Sequence, residues 1–154
     1  MEELIRYLKV KTGKNVEITD VREMNPNQLA YIGDAIYEVF VRTYLMIKFK
    51  EPMNKLHIRS VELVRAGAQS KALHSILPIL GEDELYIVKR GRNTKSANIP
   101  TNADMIEYRR ATAFESLLGY LYLSGRYDRL LEIMWCALDI DKQNVKEGDD
   151  DWVR

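Results

Sequence analysis

Apolar residues recur along most of this chain at intervals of three and four, the repeat of helices that bury one face. From Asn27 to Lys48 the stripe is Leu29, Ile32, Ile36, Val39 and Phe40, with Pro26 just ahead, where a proline suits a first helical turn. A second helix is predicted from near Met53, after Pro52, through Leu56, Val61, Val64 and Ala68 towards Leu77; Pro78 should end or bend it. A short third helix starts around Glu82 and includes Leu85, Tyr86 and Val88. Then Lys89-Arg90-Gly91-Arg92-Asn93-Thr94-Lys95-Ser96 turns basic and apolar-poor, and Ala97 to Ala103 adds Pro100 and two asparagines, so a loop is expected. Asp104 is a good N-cap for a helix carrying Met105, Tyr108, Ala111, Phe114, Leu118, Leu121 and Tyr122, with Gly125 as its stop. A last helix runs from about Tyr127 to Leu138. With no repeat, linker or strand hairpin, the fold class is all-α, a single helical bundle. The organisation expected is a 1–25 extension with a short helix from Glu2 to Lys9, a main domain over 26–140 and an acidic tail over 141–154.

Composition narrows the class. A chain of 154 residues can bury one core, and 46% hydrophobic with 30% charged residues is ordinary for a soluble protein. No apolar run approaches the ~20 residues that span a bilayer, and the charged start MEELIRYLKVKTGKNVEITD lacks a signal-peptide block. The lone Cys136 forms no internal disulfide and no metal-ligand spacing. A cytoplasmic protein without a membrane partner is the expectation. The formal charge is zero, but Asp139 to Asp151 carries −4 and the rest +4, a mildly basic body compatible with nucleic acid.

Two acids fall where helix patterning calls for apolar residues. The helical neighbours of Glu115 are Tyr108, Ala111, Thr112, Leu118, Gly119 and Tyr122, none of them charged. Those of Asp34 are Ala30, Tyr31, Tyr37, Val41 and Leu45, plus Glu38 at i+4, and like charges at that spacing repel. A buried unpaired carboxylate costs several kcal/mol or takes up a proton. One solution is a hard divalent cation shared between neighbouring helices, which would support metal-assisted phosphodiester hydrolysis. The other is structural ion pairing, of Glu115 with Arg109, Arg110 or Lys71 and of Asp34 with Arg42 or Arg59. Patterning alone leaves both open.

The motifs around these acids resemble those of a known family. Leu29-Ala30-Tyr31-Ile32-Gly33-Asp34-Ala35 is similar to the first ribonuclease III signature, a hydrophobic run followed by Gly-Asp-Ala/Ser, and Phe114-Glu115-Ser116-Leu117-Leu118-Gly119 to the second. Leu63-Val64-Arg65 resembles the family's middle helix. Tyr31 to Val39, Lys89 to Asn93, and Tyr108-Arg109 through Thr112-Ala113-Phe114-Glu115 to Leu121 carry a closer likeness to the compact branch, Mini-ribonuclease III, across Leu29 to Leu131. The resemblance implies an all-α ribonuclease III-type endonuclease domain, a homodimer, and Mg²⁺-dependent cleavage of double-stranded RNA to 5′-phosphate and 3′-hydroxyl ends. It implies large-subunit (23S) ribosomal RNA precursor as substrate, with a ribosomal protein as a candidate further partner. The compact branch lacks a separate double-stranded-RNA-binding domain, and too few residues follow 140 to form one.

Carried over by position, Asp34 and Glu115 match the family's metal-binding acids, holding Mg²⁺ and orienting the attacking water. Two further carboxylates of longer relatives are replaced here by Ala30 and Thr112. Glu38 is either a third carboxylate or the i+4 partner of Arg42. For RNA contact the candidates are Lys89, Arg90, Arg92, Asn93 and Lys95, since duplex RNA is read largely through phosphates and 2′-hydroxyls; Gly91 would let the backbone approach the ligand. Asn54, Lys55 and His57 open the second helix near the expected active face, and Arg109 and Arg110 either touch phosphate or brace Glu115. Cutting both strands of a duplex calls for two sites about a two-fold axis, with Ala30, Ile32, Ile36 and Phe40 expected at the interface. The rival reading is a non-catalytic ribonuclease III-like RNA- or ribosome-binding protein; such relatives typically lose the acids that this chain retains.

Overall fold

The small and apolar residues from Ala111 to Tyr122 become the axis of the fold. The computed structural model describes residues 1–15, 17–95, 99, 101–102 and 104–142. Its helices are α1 (Glu2–Thr12), α2 (Ile18–Glu23), α3 (Pro26–Lys48), α4 (Met53–Val64), α5 (Ala66–Ile76), α6 (Glu82–Asn93), α7 (Met105–Leu123) and α8 (Tyr127–Lys142), with a 3-10 turn at Leu77–Ile79. No strand occurs among the described residues. Helix α7 is apolar on nearly every side, the pattern of a helix enclosed by others. It packs most extensively on α3 and also against α6, α5, α8 and α2.

Local chemistry sets the helix ends. The Asn25 side chain accepts from Asn27 N at 2.9 Å ahead of Pro26, and Asp104 Oδ1 accepts from Ile106 N at 2.8 Å and Glu107 N at 3.2 Å. Such caps satisfy amides that a helix leaves orphaned. Gly125, at φ 73, closes α7: its N–H donates to Tyr122 O at 3.1 Å and the Arg126 N–H to Leu121 O at 2.9 Å, a left-handed turn suited to glycine. Around α7 the core collects Leu29, Tyr37 and Val41 from α3, Ile76 from α5, Ile87 from α6 and Leu130, Ile133 and Met134 from α8. Tyr37 and Phe114 meet edge to face, centroids 5.1 Å apart.

Three expectations are corrected. The helix predicted from Met53 to Leu77 is two helices, interrupted at Arg65, which takes extended backbone. The basic segment predicted as a loop is helical from Lys89 to Asn93, the last turn of α6. A mid-helix glycine costs about 1 kcal/mol relative to alanine, yet Gly91 is required: a Cβ there would stand 2.8 Å from Ala113 Cα and 2.9 Å from Ser116 Oγ. Its small size serves helix packing. Finally, Ala30 and Ile36 are buried within the protomer and offer no outward face, while Ile32 and Phe40 are half-buried against its core. The acidic residues from 143 onward, expected as a tail, lie outside the described residues.

Candidate active site

The crossing of α3 and α7 is set by two glycines. A Cβ on Gly33 would overlap the carbonyl oxygen of Glu115 and lie 2.9 Å from Gly119 N. A Cβ on Gly119 would overlap the carbonyl oxygen of Leu29 and lie 3.0 Å from Ile32 Cγ2. The two backbones therefore touch, closer than the usual 8–10 Å between helix axes allows with larger side chains. Ser116, fully buried, fastens the same crossing: its Oγ lies 2.7 Å from Thr112 O and 2.9 Å from Pro26 O. Asp34 follows Gly33 directly, and Glu115 precedes Gly119 by one turn, so the close approach brings their carboxyl groups into contact.

The electrostatics of that contact are unusual. Asp34 sits at the rim, its carboxyl raised above the ordinary carboxylate range by burial and then by the charge of Glu38, with the Glu115 contact opposing. Glu115 lies deeper and is pushed up to about 8, by burial first and by the Asp34 charge second; the Gln69 side chain, from α5, opposes the rise. Neither acid has an ion-pair partner among the described residues. Arg42 instead donates Nε to Glu38 Oε2 at 2.9 Å, and Arg59 is bound in a bidentate pair to Glu51 at 2.7 and 2.8 Å. Lys71, Arg109 and Arg110 are exposed. None of the cations named in the ion-pair alternative is paired with either acid among the described residues.

Two adjoining carboxylates without a cation of their own suit a hard divalent ion, which takes oxygen ligands and keeps several waters. Glu38 is engaged by Arg42, and no group of three His, Cys, Asp or Glu residues placed to hold a metal occurs among the described residues. Among the described residues, the oxygen donors available to such an ion would be one carboxylate from each of α3 and α7.

The remaining candidates fall into two groups. Lys89, Arg92, Asn93 and Lys95 are exposed at the end of α6 and just beyond. Beside them a cavity of about 240 Å³ is lined by Gly91, Thr94, Lys95, Ile99, Tyr108, Arg109 and Thr112, the last one turn before Glu115. Arg90 differs. It is half-buried, donates Nη1 to Arg22 O at 2.6 Å and packs over the Tyr86 ring, bracing α2 against α6. Asn54, Lys55 and His57 are exposed on the first turns of α4, and none is among the groups found to interact with the acid pair. Sequence reasoning missed Gln69, a buried polar residue whose setting depends on the α4–α5 break and carries no local signal.

The Ribonuclease III domain family matches residues 27–126. The Mini-ribonuclease 3 of Clostridium tetani is 44% identical over 139 residues, covering 89% of this chain and 92% of that protein. That of Desulfitobacterium hafniense is 47% identical, covering 84% and 79%, and that of Brevibacillus brevis 49% identical, covering 75% and 87%. A Fusobacterium nucleatum protein solved by X-ray crystallography superposes with a TM-score of 0.70 at 30% identity, over 79% of this chain and 98% of that one.

Proposed function

This chain belongs to the ribonuclease III family as an RNase III-type endoribonuclease of the Mini-ribonuclease 3 group, and from that premise we propose that Asp34 and Glu115 hold Mg²⁺ and that the enzyme cuts double-stranded RNA to 5′-phosphate and 3′-hydroxyl ends. The observation that carries this reading is the unpaired acid contact at the glycine crossing. A divalent ion bound there would stabilise charge on the scissile phosphate and lower the pKa of a water. The chain's own part is geometric. Gly33 and Gly119 fix the separation of the two carboxylates, Ser116 locks α7 to the start of α3, and the apolar surround keeps Glu115 from bulk water. Burial and the adjoining Asp34 charge raise the Glu115 pKa, so cation binding competes with a proton and affinity rises with pH.

Lys89, Arg92, Asn93 and Lys95, with Arg109 across the cavity, form the proposed path for the RNA backbone; Arg90 belongs to the framework beneath it. The proposed natural substrate is 23S ribosomal RNA precursor, met in the cytoplasm, with a ribosomal protein as a candidate assisting partner. No described helix is long and apolar enough to cross a membrane. Homodimerisation is proposed through outward apolar side chains of α3 and α4, among them Val39, Met46, Ile58 and Val61, in place of the inward residues expected from the sequence.

The test is incubation of an end-labelled RNA duplex with Mg²⁺ or with chelator, followed by end-group analysis. Metal-dependent double-strand cutting that leaves 5′-phosphates supports the reading. Tight duplex binding with no cutting at any Mg²⁺ concentration would overturn it.

A further inference from the structure

The break between α4 and α5 occurs at Val64-Arg65-Ala66, with neither glycine nor proline among these residues. Arg65 adopts φ −60 and ψ 154, which ends one helix and starts the next. Helix α5 opens with the Gln69 N–H on Arg65 O at 3.1 Å, and the Val64 carbonyl is met by a side chain: Gln69 Nε2 donates to it at 3.0 Å. A glutamine in the first turn of α5 thus caps the last turn of α4.

Capping alone does not account for this residue. Gln69 is 1% exposed, and a buried primary amide is costly unless each polar atom is bonded. Its side chain also interacts with the Glu115 carboxyl group on α7, while Oε1 is buried without a hydrogen-bond partner. An acceptor lacking a donor therefore lies beside a carboxylate lacking a cation, and the hydration waters of a divalent ion are donors.

Resting on the reading of Asp34 and Glu115 as cation ligands, we propose that Gln69 is a positioning residue for the cation site: anchored on the Val64 carbonyl, its amide orients the Glu115 carboxylate, and its Oε1 accepts a hydrogen bond from water of the bound ion. The helix break supplies the anchor. An unbroken helix would commit the Val64 carbonyl to a backbone N–H and leave the Gln69 side chain untethered.

The experiment measures Mn²⁺ binding to RNA-free protein by water-proton relaxation, for wild type, Gln69→Met and Gln69→Asn, with melting curves and duplex affinity in parallel. Gln69→Met keeps the length and removes both polar atoms; Gln69→Asn keeps an amide but shortens its reach. Both are expected to fold, bind duplex RNA as wild type does and bind Mn²⁺ about tenfold more weakly or worse, as outer-shell losses do. In a Glu115→Gln background Gln69→Met is expected to add nothing. Wild-type Mn²⁺ affinity in a folded Gln69→Asn or Gln69→Met protein would overturn the proposal, as would a loss of Mn²⁺ affinity that persists undiminished in the Glu115→Gln background. Failure of wild type to cut RNA would sink the functional reading and leave the Mn²⁺ comparison to decide the role of Gln69. Cutting by wild type alongside unchanged Mn²⁺ binding in the variants would sink the Gln69 role alone.

Discussion

Glu84 and Glu115 are both glutamates held within the bundle, and their surroundings treat the negative charge in opposite ways. Glu84 is 2% exposed and fully engaged. It accepts from Arg129 Nε at 2.8 Å and Nη2 at 2.9 Å, from Arg126 Nη2 at 3.1 Å and from Gly81 N at 2.9 Å. Arg129 first, and the Gly81 N–H with it, hold its carboxyl below the usual range. Glu115 meets another carboxylate and is pushed up to about 8. The difference separates two uses of a buried acid. Glu84 joins the start of α6 to α8 and is complete as it stands; Glu115, in the reading proposed above, is completed by a cation from outside. Burial of an acid is therefore no sign of function until its partners are counted.

Exchanging each carboxylate for its amide breaks the comparison most sharply. Glu115→Gln should reduce duplex cutting on the order of 10³-fold or more, corresponding to at least about 4 kcal/mol of lost transition-state stabilisation, while single-turnover assays and melting show an intact fold. Glu84→Gln should do the reverse. It leaves two arginines facing a neutral amide, a loss of about 3–5 kcal/mol in denaturant unfolding, with the cutting rate per folded molecule unchanged. Next come the glycines beneath the acid pair. Gly33→Ala or Gly119→Ala forces α3 and α7 apart and should cost about 3 kcal/mol, the upper end of ordinary overpacking, and cutting should fall further than folded fraction alone explains.

The two acids also predict opposite pH slopes. In the cation-free protein Glu115 binds its proton more tightly folded than unfolded, so stability declines as pH rises from about 4.5 towards 8. Glu115→Gln removes that decline and should be more stable than wild type by about 1–3 kcal/mol at pH 8, an advantage that vanishes below pH 4 and shrinks when Mg²⁺ is added. Glu84, with its pKa lowered, stabilises above its unfolded value and loses that contribution as pH falls below it. Melting temperatures from about pH 2 to pH 9 for both variants would separate the slopes. The smallest effects belong to the basic surface. Lys89→Ala, Arg92→Ala and Lys95→Ala should each lower duplex affinity by about 0.5–1 kcal/mol and reduce the salt dependence of binding by roughly one ion. Arg90→Ala should act mainly on stability, because its guanidinium is committed to α2.

The helices and the acid pair were legible because each depends on short-range pattern. Asn25-Pro26 and Asp104 mark helix starts through their own side chains, and Asp34 and Glu115 stand out against apolar neighbours within one helix. What escaped depends on contacts between helices. The stripe Val61, Val64, Ala68 continues smoothly through Arg65, so nothing local announces the break that the Gln69 amide caps. Gly91 and the basic residues around it read as loop, yet they continue α6 to Asn93, with Gly91 packed against Ala113 and Ser116. Helix α3 is apolar on two faces, and periodicity alone does not say which one the protomer keeps: Ala30 and Ile36 turned inward, leaving Val39 and Met46 outside. Glu84 gave no signal because its arginines come from residues more than forty positions away.

The most direct measurement is single-turnover cleavage of a labelled RNA duplex at saturating Mg²⁺ by wild type and Asp34→Asn, with duplex affinity and melting measured on the same samples. The unpaired acid pair predicts rapid cutting by wild type, none detectable in Asp34→Asn, and unchanged folding and binding in both. Cutting by Asp34→Asn at a rate near that of wild type would contradict the assignment of the cation site to the crossing of α3 and α7.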